Sequence, residues 1–406
     1  MKDVSFGASS TPCAIRLLAS LLKSRPKFSF NLSLQDSRSA ERFIPPMLLL
    51  NICTAWSAIA LSTPTLWSAL HITSPGFEKL LPIWIERARN RPLSIFLDAN
   101  VDKRVAAIFW RQQLRLKHLE IEIEGDDGDD TRVDLFGGVA PGPLPLLETL
   151  AFRGSDSERE VSGHQILELL RLAPNLVECI LDSIHPVCDL ETITEVLPIP
   201  TLRRLMFGVH GRYSDSDDDL LEYLTLPALQ TLHLSMRYAS VDDLFSFLER
   251  SSPPLQDLII GDGWQLIDFG QLPKCLSLIP SLTQFELWGE YSCAVLVADF
   301  LPALTDSSLL PNLLSFTLHF YASQITHLFW KTLLRVLSAR RTQLQTLNIE
   351  LKDDINGLDS VMPIEHILDA FRGLVAEGMQ IYVGAGEVKS NLIFSTPPMK
   401  QNRCST

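Results

Sequence analysis

The chain has 406 residues, a formal net charge of −13, 46% hydrophobic residues and 20% charged residues. That is enough apolar material for a large core, and too acidic a balance for binding nucleic acid or an anionic membrane through bulk charge. No apolar run approaches the roughly 20 residues that a membrane-crossing helix needs. The seven cysteines form no CxxC pair, which points to reduced thiols in an intracellular protein, cytoplasmic or nuclear.

Residues 1–43 read as a poorly defined N-terminal segment. Within it, "CAIRLLASLLK" from Cys13 suits a short amphipathic helix, and Asp3 and Arg16 argue against a secretory leader. Residues 44–72 form the next unit. Leu48, Leu49, Ile52, Trp56 and Ile59 recur at three- and four-residue steps, which predicts one helix with one apolar face, ended by Pro64. "LWSALHI" from Leu66 and "PLSIFL" from Pro92 read as strands.

From Leu116 a unit of the form Leu-x-x-apolar-x-apolar repeats nine times: "LKHLEI", "LETLAF", "LVECIL", "LRRLMF", "LQTLHL", "LQDLII", "LTQFEL", "LLSFTL" and "LQTLNI". The first leucines are 31, 29, 26, 27, 26, 27, 31 and 31 residues apart, and seven copies carry a proline two residues upstream (Pro145, Pro174, Pro200, Pro227, Pro253, Pro280 and Pro311). The alternating pair points to one face of a strand. The preceding leucine fills the layer beneath, and the proline ends the previous helix and sets an extended entry. Helical patterns lie between the strands. "SGHQILELLRLAP" places Ile166, Leu167 and Leu170 on one side. "SVDDLFSFLERSSP" offers Ser240 as an N-cap ahead of Leu244, Phe247 and Leu248. "FWKTLLRVLSARR" and "IEHILDAFRGLVAEG" behave likewise, and "MQIYVG" from Met379 reads as a final strand. Each unit is therefore expected to be a strand plus a returning helix, over 73–390, with 391–406 as a tail. A doubly wound sheet is the alternative, but its strands would carry longer Val/Ile runs and glycine-rich turns.

The repeat resembles leucine-rich repeats of the longer, helix-containing kind, in degenerate form, because the asparagine or cysteine expected after the last strand residue is mostly missing. The fold class implied is α/β, a leucine-rich-repeat-like solenoid behind a small helical segment. That segment resembles the second half of an F-box. Ile52, Cys53, Trp56, Ile59 and Ala60 match its V-C-x-x-W-x-x-(I/L)-A stretch, and Pro64, Leu66 and Trp67 match P-x-L-W. The order of box and repeats is similar to that of F-box proteins of mushroom-forming fungi. The first F-box helix, L-P-x-E-(I/L)-L, is not found in residues 1–40.

The resemblance implies a substrate receptor of a Skp–cullin–F-box ubiquitin ligase. The Skp adaptor would sit on Leu48, Leu49, Ile52, Cys53, Trp56, Ile59, Ala60, Pro64, Leu66 and Trp67. A target protein would lie on the concave strand positions Glu120, Ala151, Met206, His233, Ile259, Glu286, Thr317 and Asn348. Two other readings stay open: a repeat scaffold without adaptor contact, and Trp56 and Trp67 serving only to cap the end of the solenoid.

No P-loop, GxGxxG, GxSxG, HExxH or kinase signature occurs, so no catalytic residue, metal or cofactor is expected and function lies in binding. "GDGWQL" at Gly261 and "GAGEVK" at Gly384 read as turns. His233 and His319 read as partly exposed surface histidines. The acidic runs Glu120–Asp130 and Ser214–Asp219 read as solvated loops, lacking the EF-hand order of ligands. The alternative is an acidic rim for a basic partner, with Ser214 and Ser216 as phosphorylation candidates.

Overall fold

The computed structural model describes residues 46–72, 79–98, 103–123, 132–154, 160–185, 187–208, 216–261, 268–288, 294, 296–352 and 363–385. The chain divides into two units, Met1–Ile44 and Pro45–Thr406, and all described residues belong to the second.

The fold is α/β. Twelve strands form one sheet: β1 Ala69–Ile72, β2 Leu93–Asp98, β3 Leu116–Ile123, β4 Thr149–Gly154, β5 Glu178–Asp182, β6 Arg204–Phe207, β7 Thr231–Leu234, β8 Asp257–Ile260, β9 Gln284–Trp288, β10 Ser315–Tyr321, β11 Thr346–Lys352 and β12 Gln380–Ala385. Every pairing is parallel, and the strands stand in chain order from one edge to the other. A doubly wound sheet reverses its order part-way across; this one does not. The nine repeat strands form where the sequence pattern places them, and so do the flanking strands β2 and β12; the stretch expected as a strand from Leu66 is strand only from Ala69. Gly384, expected in a turn, lies inside β12.

The repeat's three apolar positions make the core. The nine first leucines, Leu116 to Leu344, are at most 3% exposed. The strand pairs behind them, from Leu119 and Ile121 to Leu347 and Ile349, are at most 2% exposed. Phe285 and Phe316 stack across β9 and β10 with ring centres 5.6 Å apart. The residue after the proline adds a stitch that the pattern did not suggest. Asn175 Nδ2 donates to Pro145 O (2.8 Å), Thr201 Oγ1 to Pro174 O (2.9 Å) and Asn312 Nδ2 to Pro280 O (2.9 Å), each tying one entry loop to the loop before it.

The helices at 46–62 are α1 Pro46–Leu50 and α2 Thr54–Ser62. The expected single apolar face over Leu48–Ile59 is thus broken at Asn51–Cys53, where Cys53 is fully extended (φ −165°). The three- and four-residue spacing holds within each piece but not across the break. Pro64 opens a 3₁₀ turn, Pro64–Trp67, that leads into β1.

The returning segments are α3 Leu81–Ala88, α4 Lys103–Trp110, α5 Gly163–Leu172, α6 Val241–Ser251, α7 Leu272–Ser277, α8 His327–Ala339 and α9 Glu365–Ala376. Ser240 caps α6 as expected, in a full capping box with Asp243. Not every unit returns through an α-helix. Among the described residues, the chain between β5 and β6 uses a 3₁₀ turn, Leu190–Thr192, and that between β6 and β7 uses another, Asp218–Tyr223. Short parallel strands outside the main sheet take the helix's place there, Val187–Cys188 beside Glu160–Ser162 and Leu197–Pro198 beside Leu224–Thr225. Step length alone does not decide this, because the next two units have equally short steps of 26 and 27 residues and return through α6 and α7.

The described part of the second acidic run, residues 216–219, is not a solvated loop. Ser216, Asp217 and Asp218 are buried. Ser216 Oγ donates to Leu181 O at 2.7 Å, so its hydroxyl is not available as a phosphorylation site in this conformation. Asp218 accepts from the backbone N–H groups of Tyr238 and Ala239 (2.9 Å each) and from Ser235 Oγ, and Asp217 accepts from Val187 N. The run is a clip that holds three successive units together, and burial pushes the Asp217 carboxyl up to about 6. Ser214, and residues 124–130 of the first run, lie outside the described residues.

Candidate functional site

The residues expected to make contacts lie in two regions: the N-terminal corner and the sheet face opposite the leucine layer.

At the corner, Trp67 is buried and its indole Nε1 donates to Ala60 O at 2.7 Å. Its ring meets Trp84 of α3 edge-on at 5.2 Å, and the Arg87 guanidinium lies 4.4 Å from its centre. Ala60 is fully buried. These two residues, expected to touch an adaptor, instead lock the corner onto the first strand and helix of the sheet. Leu49, Trp56, Ile59, Pro64 and Leu66 are half-buried, while Cys53 is exposed. Leu48, Ile52 and Leu61 are exposed by 55%, 59% and 45%, an apolar surface on two short helices and the turn between them. Leu61 was not singled out by the motif, because it falls between the matched positions.

The sheet face is organised by register. Paired residues run His71, Phe96, Glu120, Ala151, Ile180, Met206, His233, Ile259, Glu286, Thr317, Asn348 and Tyr382, one from each strand. All eight positions expected to face a target stand in this one row. Ile180 completes it; the apolar run Cys179–Ile180–Leu181 hides the alternation that would have marked it. Three of the eight are not open surface, however. Ala151 and Met206 pack with Ile180 in a small buried cluster, and His233 is 8% exposed. The accessible part of the expected set is Glu120, Ile259, Glu286, Thr317 and Asn348, all half-buried. His233, expected at the surface, approaches Asp257 at 3.8 Å.

Two polar clusters flank the buried middle of the row. On the N-terminal side, Arg153 bridges Glu120 (2.6 Å) and Asp182 (3.4 Å) across β3, β4 and β5. On the C-terminal side, His319 is 5% exposed, against the expectation of a surface histidine, because its neighbours fold over it. Its Nε2 meets Glu286 Oε1 at 3.1 Å and its Nδ1 meets Glu350 Oε2 at 3.4 Å. Its ring stacks on Trp288 with centres 3.6 Å apart, and Trp288 Nε1 donates to the same Glu286 oxygen at 2.8 Å. Lys352 Nζ lies 4.3 Å from the Trp288 ring centre. Burial alone would lower the His319 pKa, but the hydrogen bonds to Glu286 and Glu350 outweigh it and hold the imidazole above its ordinary value. Burial likewise opposes ionisation of Glu286, and the bond to His319 overrides it, so this carboxyl lies below its ordinary value. Trp288 and Glu350 carried no sequence signal, since each lies one step beyond the repeat's last apolar position.

Among the described residues, no group of three or more His, Cys, Asp or Glu side chains could hold a metal ion. No described helix is long and apolar enough to cross a membrane. Cys53, Cys179 and Cys275 are free thiols; Cys179 is buried, and burial pushes it up to about 12. No family model matches the chain, and no curated protein matches it.

Proposed function

We propose that the chain is an F-box-type substrate receptor of a Skp–cullin–F-box ubiquitin ligase, with a leucine-rich-repeat solenoid as its target-binding body. The observation that carries the reading is the row of variable side chains, one per parallel strand, on a sheet whose opposite-face positions stay apolar and buried from repeat to repeat. A sheet built from stacked repeats offers an extended recognition surface. The F-box part rests on Leu48 and Leu61, apolar and open on two short helices, and Ile52, open in the turn between them, as a helix-to-groove contact with an adaptor requires.

A second reading has its own support. Ala60 and Trp67 are spent on packing against α3, as in an end cap that covers the first strand of a repeat array. In this reading the chain is a binding scaffold without adaptor contact. Co-purification with the Skp adaptor separates the two. The receptor reading expects a complex with the intact chain that Leu48→Glu and Ile52→Glu abolish while the fold, followed by circular dichroism, is kept. No complex with the intact folded chain leaves the scaffold reading.

A further inference from the structure

His319 stands between two carboxylates from two different strands, and both of its ring nitrogens face one. Glu286 of β9 takes Nε2 and Glu350 of β11 takes Nδ1, at 3.1 and 3.4 Å. A neutral imidazole has one N–H and one lone pair. It can satisfy only one of these oxygens and turns a lone pair towards the other. Only the imidazolium, with two N–H donors, satisfies both. The indole stacked on the ring fits the same state. Trp288 of β9 lies flat on the ring at 3.6 Å, a geometry that favours a cation over the indole face. The Lys352 ammonium of β11, near that indole, opposes a second cation, and the two carboxylates on the ring nitrogens oppose it in turn.

We infer that Glu286, His319 and Glu350 form a proton-operated latch across β9, β10 and β11, which sets the position of Trp288 and the charge of the C-terminal part of the recognition face. With the proton on, the two glutamates share one cation and Trp288 is held between His319 and Glu286. With the proton off, one glutamate loses the imidazole as a donor. Glu350, whose side chain is 58% exposed, is the one nearer to solvent. The face then carries one more negative charge, so a partner presenting cations binds more tightly and one presenting carboxylates more weakly. The effect on partners rests on the reading of this sheet as a recognition surface; the latch itself does not.

The test uses the full chain alone. The Trp288 indole N–H is followed by two-dimensional NMR, assigned by Trp288→Phe, from about pH 5.5 to about 9. The expected result is a single titration of that resonance with a midpoint above the ordinary histidine value of 6.5. In Glu350→Gln the midpoint falls by about one pH unit or more, as loss of a neighbouring opposite charge requires. In His319→Gln the titration disappears. A Trp288 resonance that does not move in this range, a midpoint at or below 6.5, or a midpoint unchanged in Glu350→Gln overturns the latch. Glu350 is largely exposed, so its variant keeps the test valid even if His319→Gln fails to fold. None of these outcomes depends on adaptor binding.

Discussion

The two faces of the same twelve strands obey different rules. On one, the positions two apart along each strand are leucine, isoleucine, phenylalanine or cysteine, at most 2% exposed across nine repeats. On the other, the paired row runs through glutamate, alanine, isoleucine, methionine, histidine, threonine and asparagine, with no two polar clusters alike. The first face answers to one demand, burial, which every repeat shares. The second is free of that demand, so its residues can differ from strand to strand. The contrast also explains the weak spots of the second face: where Ala151, Ile180 and Met206 are apolar, they bury each other and leave the accessible chemistry to the clusters on either side.

The contrast can be broken by substitution, and the effects should rank by how much each position is shared structure. Leu258→Ala, on the buried face of β8, is expected to destabilise by about 3 to 4 kcal/mol, as deletion of a fully buried leucine does. Ile259→Ala, its neighbour on the opposite face, is expected to cost under about 1.5 kcal/mol. Urea midpoints of the two variants measured side by side check this, and equal losses would erase the distinction between the faces.

Arg340→Met comes next. The buried guanidinium donates to the carbonyls of Leu304, Asp306, Leu309 and Leu310, and so fixes the entry loop of β10. Leaving several of these acceptors without donors is expected to lower stability by roughly 2 to 3 kcal/mol. Thermal unfolding checks it, and a change below about 0.5 kcal/mol would show that the loop holds without this tie. Smaller still is Ser240→Ala, which removes one half of the α6 capping box and is expected to cost about 1 kcal/mol in the same assay.

Acid should separate the clip from the latch. The Asp217 carboxyl is raised to about 6, and Asp219 likewise to about 6, with burial as the first cause in both. A raised folded-state value means stability that is fully present below the ordinary aspartate value and lost as pH rises through about 6. For His319 the folded value is also raised, so its contribution persists to higher pH and is lost only above the ordinary histidine range. Glu286 is lowered, and its contribution is lost in acid. A pH series of melting temperatures is therefore expected to fall between about pH 4 and 6, and Asp217→Asn should flatten that fall while leaving the loss at higher pH. An unchanged profile in Asp217→Asn would remove the clip from the explanation.

The sequence made the strands legible because burial repeats: nine leucines with seven prolines fix both register and spacing. It made the row of variable positions legible for the same reason, since their neighbours are periodic. What each of those residues does was not legible. His319 looks like any polar strand residue until Trp288, Glu286 and Glu350 close around it, and these come from strands 31 or more residues away or from positions beyond the motif. The acidic run at 216–219 failed in the same way. Its composition is that of a solvated loop, but backbone N–H groups from neighbouring units converge on it, and such donors leave no trace in composition. At the corner, spacing suggested one helix because periodicity cannot see the extended residue at Cys53 that divides it.

The division of labour between corner and sheet face is tested most directly by titrating the purified Skp adaptor into the full chain by calorimetry, alongside Ile52→Glu at the corner and Ile259→Ala on the face. Saturable binding to the intact chain, lost in Ile52→Glu and kept in Ile259→Ala, is the expected result. No binding to the intact folded chain, or equal binding to all three proteins, would contradict it.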